Sequence, residues 1–160
     1  MNRKETTKFL SDLLVRDRLT GRGKYWASEV TIDYMHGKGK EKRIDFMQFE
    51  PVNQLSISGL EHGIFICYEV KSCAADFHSG NGLNFVGDKN YIVTTQETYE
   101  KIRHEIPWSI GVLVPIALSE NALWGNTEGW GLSIAHRAKS TNRERSVIEL
   151  LFCMLRSGRE

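Results

Sequence analysis

The stretch Gly63-Ile-Phe-Ile-Cys-Tyr-Glu-Val-Lys-Ser-Cys73 decides the fold. Its first eight residues are almost continuously apolar and rich in β-branched and aromatic side chains, the pattern of a strand covered on both faces. Strands of that kind belong to sheets with helices packed on them. Glu69 and Lys71 break the pattern. Residues two apart in a strand share a face, so both charges point the same way from a buried element. Buried charges are expensive unless they are paired or bound to metal. Local rules are broken most often where a protein works.

Outward from this strand the chain alternates between the two periodicities. Residues 6–18 read as a helix, with Phe9, Leu10, Leu13 and Leu14 at helical spacing and Thr6 or Thr7 as its cap. Residues 29–35 and 43–49 read as a hairpin joined by a basic turn around Gly37 and Gly39, ended by Pro51. Beyond Cys73 come a polar Gly- and Asn-rich stretch, a strand at 91–95, and a helix at 97–105 stopped by Pro107. Strands follow at 109–116 and 131–138. A closing helix has capping-box spacing at Thr141 and Glu144 and an apolar stripe of Val147, Leu150, Leu151, Met154 and Leu155. The stripe covers the chain's own sheet or, as an alternative, a second copy in a homodimer. This order predicts an α/β fold, one mixed central β-sheet flanked by helices.

The 160 residues suit a single domain spanning 1–160, large enough to build a core without disulfides. Hydrophobic residues are 41% and charged ones 26%, which excludes a disordered or coiled-coil chain. No apolar run reaches the roughly 18 residues of a membrane span, and the first residues lack the apolar region of a signal peptide. The three cysteines form no CxxC pair, and a reducing cytoplasm is expected. The net charge of +1 is unevenly placed: residues 1–45 carry +4, residues 46–135 carry −6 and residues 136–160 carry +3. Basic ends around an acidic middle fit basic arms beside a carboxylate site, or simply solvated surface charge.

A second acid strengthens the anomaly. Asp45 lies between Ile44 and Phe46 in an apolar strand. If the two strands are neighbours, Asp45 and Glu69 converge and require a cation. Mg²⁺ (or Mn²⁺) takes oxygen ligands and keeps several waters, which matches two carboxylates and a substrate phosphate. Lys71 would then orient the attacking water or neutralise charge on the phosphate. The bland alternatives are an ion pair near the end of the Glu69 strand and a salt bridge from Asp45 to Arg43. By chance alone, a chain of this composition holds about one acid-x-Lys triplet, so the weight comes from the strand around it. The five histidines lack zinc-ligand spacing, and neither a GxSxG elbow nor a phosphate-binding glycine loop is present.

Asp45 followed by Glu69-x-Lys71 after an apolar strand resembles the PD-(D/E)xK nuclease superfamily. Tyr68-Glu69-Val70-Lys71-Ser72-Cys73, with Asp76-Phe77 and Lys89-Asn90-Tyr91 after it, is most similar to its MmcB-like DNA-repair branch. The resemblance covers about residues 29–115. It implies a restriction-endonuclease-like core: a helix, a three-stranded meander, a helix and a further strand. It implies a metal-dependent deoxyribonuclease acting in DNA repair, recombination or phage DNA processing, with DNA as its partner. A catalytically silent module on the same fold, binding DNA or a protein, is the rival. Asp45, Glu69 and Lys71 are the implied catalytic residues. Asp45 and Glu69, with Val70 between the motif residues, are the implied metal-site positions, and Glu29 is the candidate for an upstream glutamate. The proline usual before the aspartate is Ile44 here.

Candidates for nucleic-acid contact are Lys42 and Arg43 at the hairpin, with Lys38 and Lys40 beyond them. Ser72, His78 and Asn81 after the motif, with Asp76 and Ser79, form a second set. Arg137, Lys139 and Arg143 around the last helix form a third, with His136 and Arg145 beside them. Each set is also readable as plain surface polarity. The tryptophans are expected in packing rather than as base-stacking platforms.

Overall fold

The computed structural model describes residues 1–158. Helix α1 (Arg3–Leu14) runs on through a wider π turn over Val15–Leu19. Strands β1 (Tyr25–Ile32) and β2 (Lys42–Glu50) form a hairpin. A short helix α2 (Ile57–Glu61) leads into β3 (Ile64–Val70). Then come α3 (Ala74–His78), β4 (Lys89–Val93), α4 (Gln96–Ile102), β5 (Gly111–Ala117), β6 (Trp130–His136) and α5 (Val147–Arg156).

The six strands among the described residues make one open sheet in chain order. β1, β2 and β3 are antiparallel, β3, β4 and β5 are parallel, and β6 returns antiparallel. Parallel neighbours need crossover connections, and α3 and α4 supply them. The fold is therefore α/β, a mixed sheet flanked by helices, with the expected sequence of helix, meander, helix and strand. Among the described residues, no helix is long and apolar enough to cross a membrane.

Alternation along the strands divides the core. Phe46, Tyr68 and Val70 pack under Phe9, Leu10, Leu13 and Leu14 of α1. Met47, Phe49, Phe65 and Cys67 meet Leu150 and Cys153 of α5. A third cluster joins Phe77 of α3 to Ile92 of β4 and Ile102 of α4. Phe9, Trp124 and Trp130 form a packed aromatic group with centroids 4.6–5.7 Å apart, so these two tryptophans are structural.

Several expectations need correction. β1 begins at Tyr25, not at residue 29, and Glu29 lies inside it with φ +52°. Asn2 rather than Thr6 or Thr7 caps α1, in a reciprocal capping box with Glu5. The helix predicted from Thr141 starts at Val147, capped by Ser146. Thr141 instead donates its hydroxyl to the Gly87 carbonyl. Leu155 is 62% exposed, and Cys153 takes the core position on that turn.

Candidate active site

The site opens where β2 and β3 part. Their paired register runs from Glu50↔Ile64 to Phe46↔Tyr68 and stops there. One step beyond, the Val70 N–H donates to Asp45 Oδ2 at 2.9 Å. A side-chain carboxylate thus replaces the missing backbone acceptor, and this holds Asp45 beside Glu69. The other edge of β3 stays in the sheet: Lys71 N–H donates to the Val93 carbonyl at 2.9 Å, and Thr94 Oγ1 donates to the Lys71 carbonyl at 2.6 Å. Glu69 and Lys71 are therefore fixed by backbone on one side and face an opening on the other.

Glu69 is 1% exposed, and neither of its carboxylate oxygens accepts a hydrogen bond among the described residues. Burial first, and then the neighbouring Asp45, raise its carboxyl from 4.5 to about 10, with Lys71 offsetting this only in part. The bland alternatives do not hold. Lys71 is also buried, but its ammonium donates to the Asn81 carbonyl and lies 4.0 Å from Asp76 Oδ1. Asp45 is engaged by Val70, and no salt bridge joins it to Arg43 among the described residues.

Asp76 anchors the far side. Its Oδ2 accepts from the Ser72 N–H at 3.0 Å and the Ser72 hydroxyl at 3.2 Å, while Oδ1 pairs with Arg3. Burial works against ionisation there, but Ser72, Lys71 and Arg3 together hold the carboxyl below its ordinary value. The result is a cleft of about 700 Å³ in which Arg3, Lys42 and Arg43 are exposed while Glu69 and Lys71 are buried. Arg3 is 66 positions from Glu69 in the chain, and no local pattern marks it. Gly82 passes over Glu69, and nothing in the Gly- and Asn-rich stretch around it marks that position.

The donor set fits a hard divalent cation. It offers two carboxylates, both oxygens of one left without a donor, and no thiol or imidazole. The protein's own cation, Lys71, is held away by Asn81. Glu29 lies opposite Asp45 by register, between the pairs Ser28↔Phe46 and Val30↔Ile44. It is exposed and borders an adjoining cavity of about 480 Å³ together with Asp45 and Val70. Val70 contributes the N–H that holds Asp45, and its side chain is buried under α1.

The remaining candidates divide. Lys42, Arg43 and Asn81 line the cleft. Ser72 is buried behind it as the partner of Asp76. His78 faces away to pair with Glu105 at 2.9 Å. Arg143 pairs with Asp88 at 3.1 Å and lies over the Phe65 ring. Asp88 also accepts the Phe65 N–H, so Arg143 sits at the opposite end of β3, about 13 Å of strand from Glu69. Lys139 bonds through its backbone to Ser109, ahead of β5, on that same side. Arg137 is exposed next to it. The third basic set is therefore not gathered at the cleft. Asp33, His36 and Glu149 bring ligand atoms within 4.8 Å of one another, but both Asp33 oxygens already accept from Arg145.

No protein-family model matches the chain, and no curated protein matches it. Among solved structures it is similar to a protein of unknown function from Silicibacter pomeroyi. The TM-score is 0.59 at 17% identity, over 94% of this chain and 84% of that one. At that identity the likeness extends to the fold alone.

Proposed function

We propose that the protein is a metal-dependent nuclease of the PD-(D/E)xK type that hydrolyses phosphodiester bonds in DNA. The observation that carries this reading is the Glu69 carboxylate, buried with both oxygens unpartnered beside Asp45, at the base of an open cleft with an exposed basic rim. A buried Glu69 carboxylate beside the half-buried Asp45 destabilises the fold unless a cation joins the two or Glu69 takes a proton, and the cleft above them admits a cation.

Asp45 and Glu69 hold Mg²⁺ or Mn²⁺. The bound ion supplies Lewis-acid polarisation of a phosphoryl oxygen and a more acidic water. Arg3, Lys42 and Arg43 take the flanking phosphates of the strand as charge-assisted contacts. Lys71 donates to the Asn81 carbonyl, close enough to the acids to balance charge that builds on the phosphate. Asp76 fixes Lys71 and Arg3 on one carboxylate.

The test is strand scission of supercoiled plasmid and of labelled single- and double-stranded oligonucleotides with Mg²⁺ or Mn²⁺. Glu69→Ala, Asp45→Ala and Lys71→Met should each lower cleavage by about 100-fold or more while circular dichroism stays native. Cleavage unchanged in Glu69→Ala would falsify the assignment. DNA retardation without metal, and without scission, would instead identify a silent binding module.

A further inference from the structure

We propose that the turn over residues 79–84 is the roof of the carboxylate site, and that Gly82 keeps open the space over Glu69 in which a divalent cation and its water sit. The inference rests on the metal-site reading above and adds a positioning element to it.

Two contacts place the turn. The Lys71 ammonium donates to the Asn81 carbonyl, and Asn84 Nδ2 donates to the Arg43 carbonyl at 3.2 Å. The turn is thus tied to β3 on one side and β2 on the other, across the gap where those strands part. Gly82 lies between these ties. A Cβ at Gly82 would stand 3.1 Å from Glu69 Oε2 and 3.6 Å from Lys71 Nζ. The first separation is inside ordinary van der Waals contact. Any side chain here would fill the space between the buried carboxylate and the ammonium. The oxygen it would press against is one of the two that accept no hydrogen bond among the described residues. A second glycine, Gly80, has nearly the same backbone conformation, φ +73° against +74° for Gly82, but a Cβ there meets nothing within 4 Å. Both positions disfavour a side chain on backbone grounds. Only Gly82 has the site beneath it.

The same asymmetry gives the experiment. Mn²⁺ is titrated calorimetrically into the wild type, Gly82→Ala, Gly80→Ala and Glu69→Ala, each checked by circular dichroism and thermal unfolding. The two glycine variants should lose similar stability, because both force an alanine into left-handed backbone. Gly80→Ala should bind Mn²⁺ like the wild type, and Gly82→Ala should bind about tenfold or more weakly. If Gly82→Ala does not fold, Gly82→Asn carries the same Cβ with a residue that tolerates this conformation better, and the same loss is expected. Glu69-dependent binding in the wild type, with equal affinity in Gly82→Ala, would overturn the roof and leave the carboxylate site standing. Equal losses in Gly80→Ala and Gly82→Ala would also overturn it, since backbone strain alone would then account for both. A wild type that binds no Mn²⁺ would overturn both readings.

Discussion

Glu69 ionises at about 10 in the folded chain and near 4.5 when exposed, because burial removes its water and Asp45 adds a like charge. Between those values the folded protein holds a proton that the unfolded chain has released. Stability therefore falls as pH rises through this window when no metal is bound. At pH 7 the penalty has an upper bound of roughly 3 kcal/mol. Glu69→Gln removes the ionisation and gives Asp45 an amide donor in its place. Urea unfolding in chelator should find the variant more stable by about 1–3 kcal/mol at pH 7.5, with the difference shrinking to nothing below pH 4.5. Equal stability at pH 7.5 would mean that water reaches the carboxylate. Lys71 relieves the acid only in part, since its ammonium donates to Asn81. Asp45, Glu69 and Lys71 stand out in the sequence because charges inside apolar strands are visible without a structure. The partners of Asp45 and Lys71, the Val70 N–H and the Asn81 carbonyl, are set by tertiary contacts.

At the scale of elements, α5 is placed by the segment before it. Thr141 and Glu144 have the spacing of a helix start, yet the helix begins only at Val147. The polar groups before it are spent elsewhere: Thr141 on Gly87, Arg143 on Asp88, and Arg145 on both oxygens of Asp33 at 2.8 and 2.7 Å. Such partners lie 54 to 112 positions away, beyond any local pattern. For the same reason the residues 137–145 read as a basic arm, while Arg143 and Arg145 act as ties between α5 and the sheet. The start of β1 at Tyr25 is not marked in the sequence, and Glu29, inside the strand, takes left-handed backbone that no local pattern announces. The Arg145 hydrogen bond is the largest influence on Asp33 and lowers its carboxyl below 3.8 despite burial. A depressed acid contributes stability that is present above its unfolded value and lost as pH falls through its folded one. Asp33→Ala should cost about 1–2 kcal/mol in denaturant unfolding at pH 7. Its deficit relative to wild type should shrink below pH 4. A deficit that persists at pH 2 would assign the effect to backbone geometry at Asp33, which sits at φ +59°.

For the whole molecule, the carboxylate site couples metal to folding. α1, through Arg3, and the segment just after β3, through Lys71 and Ser72, meet on Asp76, while β2 meets β3 through Asp45 and Val70. Unfolding separates these elements and scatters the ligands, so an ion that binds the site binds only the folded chain. Free Mn²⁺ at 100 times its dissociation constant adds about 2.7 kcal/mol to stability. For a domain of this length each kcal/mol raises Tm by roughly 2–4 °C, so a rise of about 5–10 °C is expected in the wild type. The ion must also displace the Glu69 proton. The rise should therefore be larger at pH 8 than at pH 6, the reverse of the metal-free trend. Glu69→Gln should start from a higher Tm and gain little, so the two melting curves should change order between chelator and saturating Mn²⁺. Differential scanning calorimetry at both pH values reads all four states. A shift of equal size in wild type and variant would place the ion away from Glu69, and with it the site on which the nuclease reading depends.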